Sequence, residues 1–220
     1  MLGLFDSGSG GLNTVRYIKK SAPDVDLVYL IDRGNAPYGI KTEKQIKGIT
    51  ERNIEKLLAM RAERILIACC TASTVWPLLD KEHRRVSIPI IDAVARAARK
   101  ATRTGRVGVI ATPMTVASHA FRTALPGLTV IEHPLGELVP LIDGGLSDTT
   151  AAPSDVEMLE DMLTPLLRER IDTLILGCTH FPSLKETIGK IVKKYGVRRV
   201  IDSARVGADE LIRSVKLSKV

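Results

Sequence analysis

Two cysteines stand at matching points of the chain. Cys69 closes the run Ile65-Leu-Ile-Ala-Cys69, and Cys178 closes Leu174-Ile-Leu-Gly-Cys178. Each apolar run has the length of a buried strand, and a threonine lies just beyond each thiol, Thr71 and Thr179. In parallel α/β sheets, ligands bind outside the carboxyl ends of the strands, so both thiols are expected at ligand-binding positions. A helix is expected to begin shortly after each, with a dipole that favours the thiolate. If the two segments face each other, one thiol comes from each side of a cleft. That pairing suits proton exchange at a carbon: one base removes a proton from one face, and the other returns a proton to the opposite face. A lone cysteine after a strand is ordinarily a small buried hydrophobe. Two at equivalent points of a repeat give the reason to consider chemistry.

The elements that would position these thiols can be read from the pattern around them. Candidate strands are Leu2–Phe5, Leu27–Ile31, Ile65–Ala68, Ile88–Ile91, Val107–Ile110, Leu128–Ile131, Thr173–Leu176 and Arg199–Ile201. Amphipathic stretches lie between them. In Thr42–Met60, residues Ile46, Ile49, Leu57 and Met60 share one helical face with Ile54 at its edge. Asp155–Arg170 repeats the pattern, with Pro165 expected to kink or end it. Alternating strands and helices imply parallel sheets with helices on both faces. The chain also echoes itself. Gly3-Leu-Phe-Asp6 matches Gly108-Val-Ile-Ala111, the two cysteine runs match each other, and Ile91-Asp92 matches Ile201-Asp202, each echo roughly 105–110 residues after its partner. Two similar α/β halves of about four strands each are expected.

Composition narrows the class. The chain has 220 residues, 45% hydrophobic and 26% charged, as in a globular protein. The longest uncharged runs, Ile65 to Leu79 and Val107 to Phe121, are interrupted by proline and hydroxyl residues and fall short of a membrane span. The first residues show no basic region before an apolar one and Asp6 comes early, so a signal peptide is not expected. Three cysteines without a CxxC fit neither a disulfide framework nor a zinc site, so free thiols in the cytoplasm are expected and no metal is. A net charge of +7 permits an anionic partner. The stretch Arg96, Arg99, Lys100, Arg103 and Arg106 reads as a solvated helix face, and 4% aromatics leave few platforms for stacking on nucleic acid. Taken alone, Asp6 and Ser7 read as caps of a helix starting near Gly10 or Gly11, Pro37-Tyr-Gly39 as a turn, and His180 as a local hydrogen-bonding residue. G-x-G-x-x-G fails because Asn13 stands where the third glycine belongs, so the glycines point to close backbone approach to a small anionic ligand. His83, His119 and His133 carry no expected role, and Trp76 reads as helix packing.

Four motifs taken together resemble the glutamate racemases, a cofactor-independent branch of the aspartate/glutamate racemase superfamily. They are Phe5-Asp-Ser-Gly-Ser-Gly-Gly-Leu12, Asp32 with Pro37-Tyr-Gly39, Ala68-Cys-Cys-Thr-Ala-Ser73, and Leu174-Ile-Leu-Gly-Cys-Thr-His-Phe-Pro182. The resemblance implies two flavodoxin-like parallel-sheet α/β domains, pseudo-duplicated, with the active site in the cleft between them. The implied division is residues 1–92 plus 203–220 and residues 93–202. It implies Cys69 and Cys178 as the two catalytic thiols, Asp6 as the carboxylate beside the first, and His180 assisting the second together with Asp143. It implies Asp6, Ser7, Pro37, Tyr38, Gly39, Cys70, Thr71, Thr179 and His180 as substrate contacts. The implied activity interconverts L- and D-glutamate without pyridoxal phosphate, metal or other cofactor, in a cytoplasmic homodimer supplying D-glutamate for peptidoglycan. Alternatives are racemisation of aspartate or another acidic amino acid, and a non-catalytic amino-acid-binding homologue. The Thr-His after Cys178 favours the glutamate branch.

The sequence departs from that pattern in three places. Cys70 stands where the family has an asparagine that donates an amide to the substrate, and a thiol is a poorer donor. Only one of the adjacent Cys69 and Cys70 is expected to point into the cleft. Asp143 is one methylene shorter than the usual glutamate. The chain is also short for the family, so trimmed loops or a trimmed C-terminal helix are expected.

Overall fold

Each aliphatic run identified above contains a strand in the computed structural model, which describes residues 1–217; residues 218–220 of the first-domain assignment lie outside the described residues. The strands are β1 (Leu2–Asp6), β2 (Leu27–Ile31), β3 (Arg64–Ile67), β4 (Ser87–Pro89), β5 (Arg106–Ala111), β6 (Thr129–Pro134), β7 (Thr173–Gly177) and β8 (Arg199–Asp202). They form two four-stranded parallel sheets, ordered β2-β1-β3-β4 and β6-β5-β7-β8. The same order appears twice, as the internal repeat requires.

The helices are α1 (Gly11–Ser21), α2 (Glu43–Ala59), α3 (Cys70–Ser73), α4 (Lys81–Val86) and α5 (Ile90–Ala101) in the first stretch of the chain. Then come α6 (Pro113–Ala117), α7 (Ala120–Ala124), α8 (Leu138–Asp143), α9 (Pro153–Leu167), α10 (Lys185–Lys194) and α11 (Ser203–Leu217). A capping box starts α2: Gln45 N donates to Thr42 Oγ1 at 3.3 Å, and Thr42 N donates to Gln45 Oε1 at 2.9 Å. Its buried face holds Ile46, Ile49, Ile54 and Leu57, so Ile54 is core rather than edge. Met60, at the C-cap, is 47% exposed instead of sharing that face. Pro165 stands inside α9, which ends two residues later at Leu167.

Two expectations about strands need correction. Ile88–Ile91 is not one strand: β4 stops at Pro89, and Ile90 and Ile91 are the buried first turn of α5. A short apolar run looks the same in a strand and in a buried helix start, so periodicity could not separate them. The third echo shifts with it. Gly3 pairs with Ile65 and Gly108 with Leu174, which aligns the first two echoes. Leu66 pairs with Ile88, and its counterpart Ile175 pairs with Ile201. The equivalent of Ile201 is therefore Ile88, not Ile91.

A shared layer joins the two sheets. Helix α5 packs on α7, α11, β7 and β8, while α11 packs on α1, α5, β3, β7 and β8. One core cluster accordingly contains Leu4 and Leu66 of the first sheet, Val94 and Leu211 of the two helices, and Val107, Val109 and Ile175 of the second sheet. The expected division after residue 92 falls inside α5. No described helix is long and apolar enough to cross a membrane.

Candidate active site

In both sheets the chain direction of connection changes between the first and third strands of the half, and a crevice opens at such a switch point beyond the carboxyl ends. In the first half those ends carry Asp6-Ser7 and Cys69; in the second they carry Ala111-Thr112 and Cys178. A cavity of about 440 Å³ lies between them, within the range of small-molecule sites. Its wall includes Ser7, Pro37, Tyr38, Gly39, Cys69, Cys70 and Thr71 from the first half and Asp143, Cys178, Thr179 and His180 from the second. Asp6 sits behind Ser7, fully buried. The structure thus brings all the sequence-predicted residues to one place.

Asp6 does not cap α1. The N-cap is Gly10, with no side-chain cap bond. Asp6 Oδ1 instead accepts from Gly8 N at 3.2 Å and from Ser7 Oγ at 3.3 Å, while Oδ2 has no partner. Burial pushes the Asp6 carboxyl above the ordinary carboxylate range, and the His180 charge and the Thr179 hydroxyl offset this only in part. Ser7 Oγ also lies 3.5 Å from Cys69 Sγ, linking the first thiol to the carboxylate.

The second thiol has a different partner set. The turn after β7 bends back so that Cys178 Sγ lies 3.6 Å from His180 Nδ1. On the far side of the ring, Nε2 lies 3.3 Å from Asp143 Oδ1 and 3.4 Å from Ser9 Oγ. Ser9 Oγ donates to Asp143 Oδ1 at 2.6 Å. The glycine-rich turn fits tightly against this segment. A Cβ on Gly10 would stand 2.5 Å from Thr179 Oγ1 and 2.8 Å from His180 N and Nδ1. Gly10 is therefore glycine because the opposite half of the protein, rather than an anionic ligand, approaches its backbone.

Neither thiol is favoured as a thiolate in this state, contrary to the helix-dipole expectation. Burial, reinforced by the nearby Asp6, raises the Cys69 thiol to about 11, and burial raises Cys178 further. The helix after Cys69 is only four residues long, and Cys178 is followed by a 3-10 turn, Phe181–Leu184, so neither dipole competes with desolvation. Both adjacent cysteines are among the residues lining the cavity. Cys69 belongs to the apolar cluster that holds Phe5 and Tyr38, and Cys70 to the one that holds Ala68 and Ile90. Cys69 is still extended and Cys70 starts α3, so successive side chains diverge.

Remaining contacts set the walls. Tyr38 is buried and lines the cavity, and its hydroxyl donates to Asp32 Oδ2 at 2.5 Å. Burial alone would raise Asp32, but hydrogen bonds from Tyr38, Asn53 and Asn35 outweigh it and hold the carboxyl low. Thr71 Oγ1 joins Thr112 Oγ1 at 2.9 Å and Thr115 Oγ1 at 3.1 Å, a ring of hydroxyls spanning both halves. Ser9, Asn53, Thr112 and Thr115 were not anticipated. Thr112 had a signal: in the repeat it occupies the place of Ser7. Outside the cavity, Glu51, Asp80 and His83 bring ligand-type atoms within 4.8 Å of one another, with Glu51 engaged by Lys47.

The profile of the Asp/Glu/Hydantoin racemase family matches residues 13–211. A glutamate racemase of Exiguobacterium sibiricum is 38% identical over 198 residues, covering 87% of this chain and 71% of the relative. A glutamate racemase of Gloeobacter violaceus is 36% identical and covers 100% of this chain and 82% of the relative. The crystal structure of the Francisella tularensis glutamate racemase in complex with D-glutamate superimposes with a TM-score of 0.87 at 29% identity, covering 99% of this chain and 81% of that one.

Proposed function

The chain belongs to the Asp/Glu/Hydantoin racemase family, and from that premise we propose that it interconverts L- and D-glutamate by proton transfer between Cys69 and Cys178. The observation that carries this reading is the placement of two thiols, one from each half, in the wall of one cavity, each with its own polar partners. With one thiol deprotonated, its sulfur takes the Cα proton. The opposite thiol gives its proton to the other face, and the two exchange roles. A thiolate whose thiol has a raised pKa is less populated but more basic, which suits the abstraction of a weakly acidic carbon-bound proton. Hydroxyls of Ser7, Thr71 and Thr179 would face the developing charge on the substrate carboxylate. Asp6 acts through Ser7 on the Cys69 side, and Asp143 acts through His180 on the Cys178 side.

The same reading makes residues 1–92 with 203–220 and residues 93–202 the two units around the cleft. It places the enzyme in the cytoplasm as a homodimer supplying D-glutamate for peptidoglycan. The test is racemisation of L- and D-glutamate followed by circular dichroism, in chelator and without added cofactor. Cys69→Ala and Cys178→Ala should each lower the rate by about 10²–10⁴-fold or more, the scale of a lost general acid or base. A wild-type protein inert toward both glutamate and aspartate overturns the proposal, and full activity in Cys178→Ala overturns the two-thiol mechanism.

A further inference from the structure

Residues Ser7 and Ser9 come from one turn yet serve opposite thiols. Ser7 lies against Cys69, while Ser9 reaches across to the second half. We propose that Ser9 is a positioning residue for the Cys178 side of the reaction, holding Asp143 against His180 so that the imidazole stays aimed at Cys178. This rests on the two-thiol reading above.

Geometry carries the argument. Ser9 Oγ, Asp143 Oδ1 and His180 Nε2 form a closed triangle with sides of 2.6, 3.3 and 3.4 Å. Asp143 is the last residue of the six-residue α8, and its side chain is 49% exposed. Apart from His180 and Ser9, its carboxylate has no hydrogen bond or ion pair among the described residues. An exposed ion pair with one 3.3 Å contact holds its geometry weakly. Ser9, in contrast, stands on a braced turn. Gly10 abuts Thr179 and His180, Leu12 N donates to Ser9 O at 3.0 Å, and Asn13 Nδ2 donates to Thr179 O at 3.0 Å. The serine is thus fixed to the segment that bears Cys178 and His180, whereas Asp143 arrives from a separate helix. A carboxylate only accepts, so Nε2 carries the ring proton toward it and Nδ1 presents its lone pair to the Cys178 thiol. The Ser9 hydroxyl donates to the same carboxylate oxygen and locks that tautomer.

Ser9→Ala and Ser9→Thr provide the test. Ser9→Ala should lower kcat/KM roughly tenfold, the scale of one hydrogen bond to a charged group. The loss must be equal for both enantiomers, because racemisation has an equilibrium constant of one. The primary isotope effects with Cα-deuterated substrates should separate, however. The effect should rise for the enantiomer deprotonated by Cys178 and fall for its mirror image, and Ser9→Thr should restore the wild-type values. A second readout needs no turnover. The pH midpoint of Cys178 alkylation by iodoacetamide, followed by peptide mass spectrometry, should move up in Ser9→Ala while that of Cys69 stays put. Unchanged isotope effects together with an unchanged Cys178 midpoint overturn the proposal. So do equal changes at both thiols with a lowered melting temperature, which would mark a merely structural serine. A wild-type protein that fails to racemise strikes the proposed activity alone, and the alkylation profile still decides the role of Ser9.

Discussion

The two thiols occupy equivalent places, but their surroundings are not equivalent. Register places Asp6 opposite Ala111 in the repeat, and Thr71 opposite His180. One half therefore supplies a carboxylate below its thiol, and the other supplies an imidazole beside it. Asp6 bears a cost for this. Its Oδ2 has no partner, and burial raises its pKa despite help from His180 and Thr179. A carboxyl with a raised folded-state pKa binds its proton more tightly in the native protein than in the unfolded chain. The associated stabilisation is complete below the ordinary value of 3.8 and is lost as pH rises through the raised value. Near neutral pH the ionised group therefore subtracts from stability. Asp6→Asn is expected to melt about 2–4 °C higher than wild type at pH 7, the shift produced by about 1 kcal/mol in a chain of this size. The gap should close below about pH 4, and racemisation should fall. Thermal melts between pH 4 and pH 8 check this; an Asn variant less stable at pH 7 would show that Asp6 is well solvated or paired in solution.

At the level of elements, the sequence was most legible where a pattern had one physical cause. All eight strands were visible at least in part as aliphatic runs, and the echoes of Gly3 with Gly108 and Ile65 with Leu174 announced two similar halves, whose common strand order only the structure supplies. Ile90 and Ile91 misled because a buried first helical turn has no period of its own. The candidate site was legible in residue type through its motifs, but its partnerships were not. Ser9 meets Asp143, and Thr71 meets Thr112, across more than a hundred and about forty residues respectively, and no local spacing encodes such contacts. Asp172 shows a different kind of hidden brace. Placed just before β7, its carboxylate accepts from Thr102 Oγ1 at 2.6 Å and from Arg103 N and Thr104 N at 2.7 Å each. Burial opposes its charge, but these bonds prevail and lower its pKa to about 2. With a depressed folded-state value, the stabilisation is present above 3.8 and is lost as pH falls through about 2. Asp172→Ala should cost on the order of 3 kcal/mol at pH 7, since hydrogen bonds to a charged group contribute about 1.5–3 kcal/mol each and do not add fully. Urea midpoints for the variant and wild type should converge as pH is lowered from about 4 toward 2; a constant difference would mean that the carboxylate charge is not what holds the loop.

The whole molecule places the candidate cleft between two sheets that share part of their interior. Helices α5 and α11 contact both, and one apolar cluster runs from Leu4 and Leu66 through Val94 and Leu211 to Val109 and Ile175. Each half also has a cluster of its own, one holding Phe5, Ile46 and Ile67 and the other Leu159, Leu174 and Ile188, and with those alone one half could unfold or reorient cheaply. A shared core instead couples the halves, so the two thiols keep their separation only while both sheets are folded. That coupling predicts a single cooperative transition. Trp76 is the only tryptophan and lies on the first half, packed beside the cluster of Phe5, Ile67 and Cys69 with its indole N–H bonded to Ser87 Oγ at 3.1 Å. Its fluorescence therefore reports on the first half, while far-ultraviolet circular dichroism reports on both. The two probes should give the same urea midpoint. Ile175→Ala, a truncation in the second sheet, should cost about 2–5 kcal/mol and should move the Trp76 midpoint as far as the dichroism midpoint. A Trp76 transition left in place while the dichroism splits into two steps would show that the halves fold independently and that the thiol geometry is held by the cleft contacts alone.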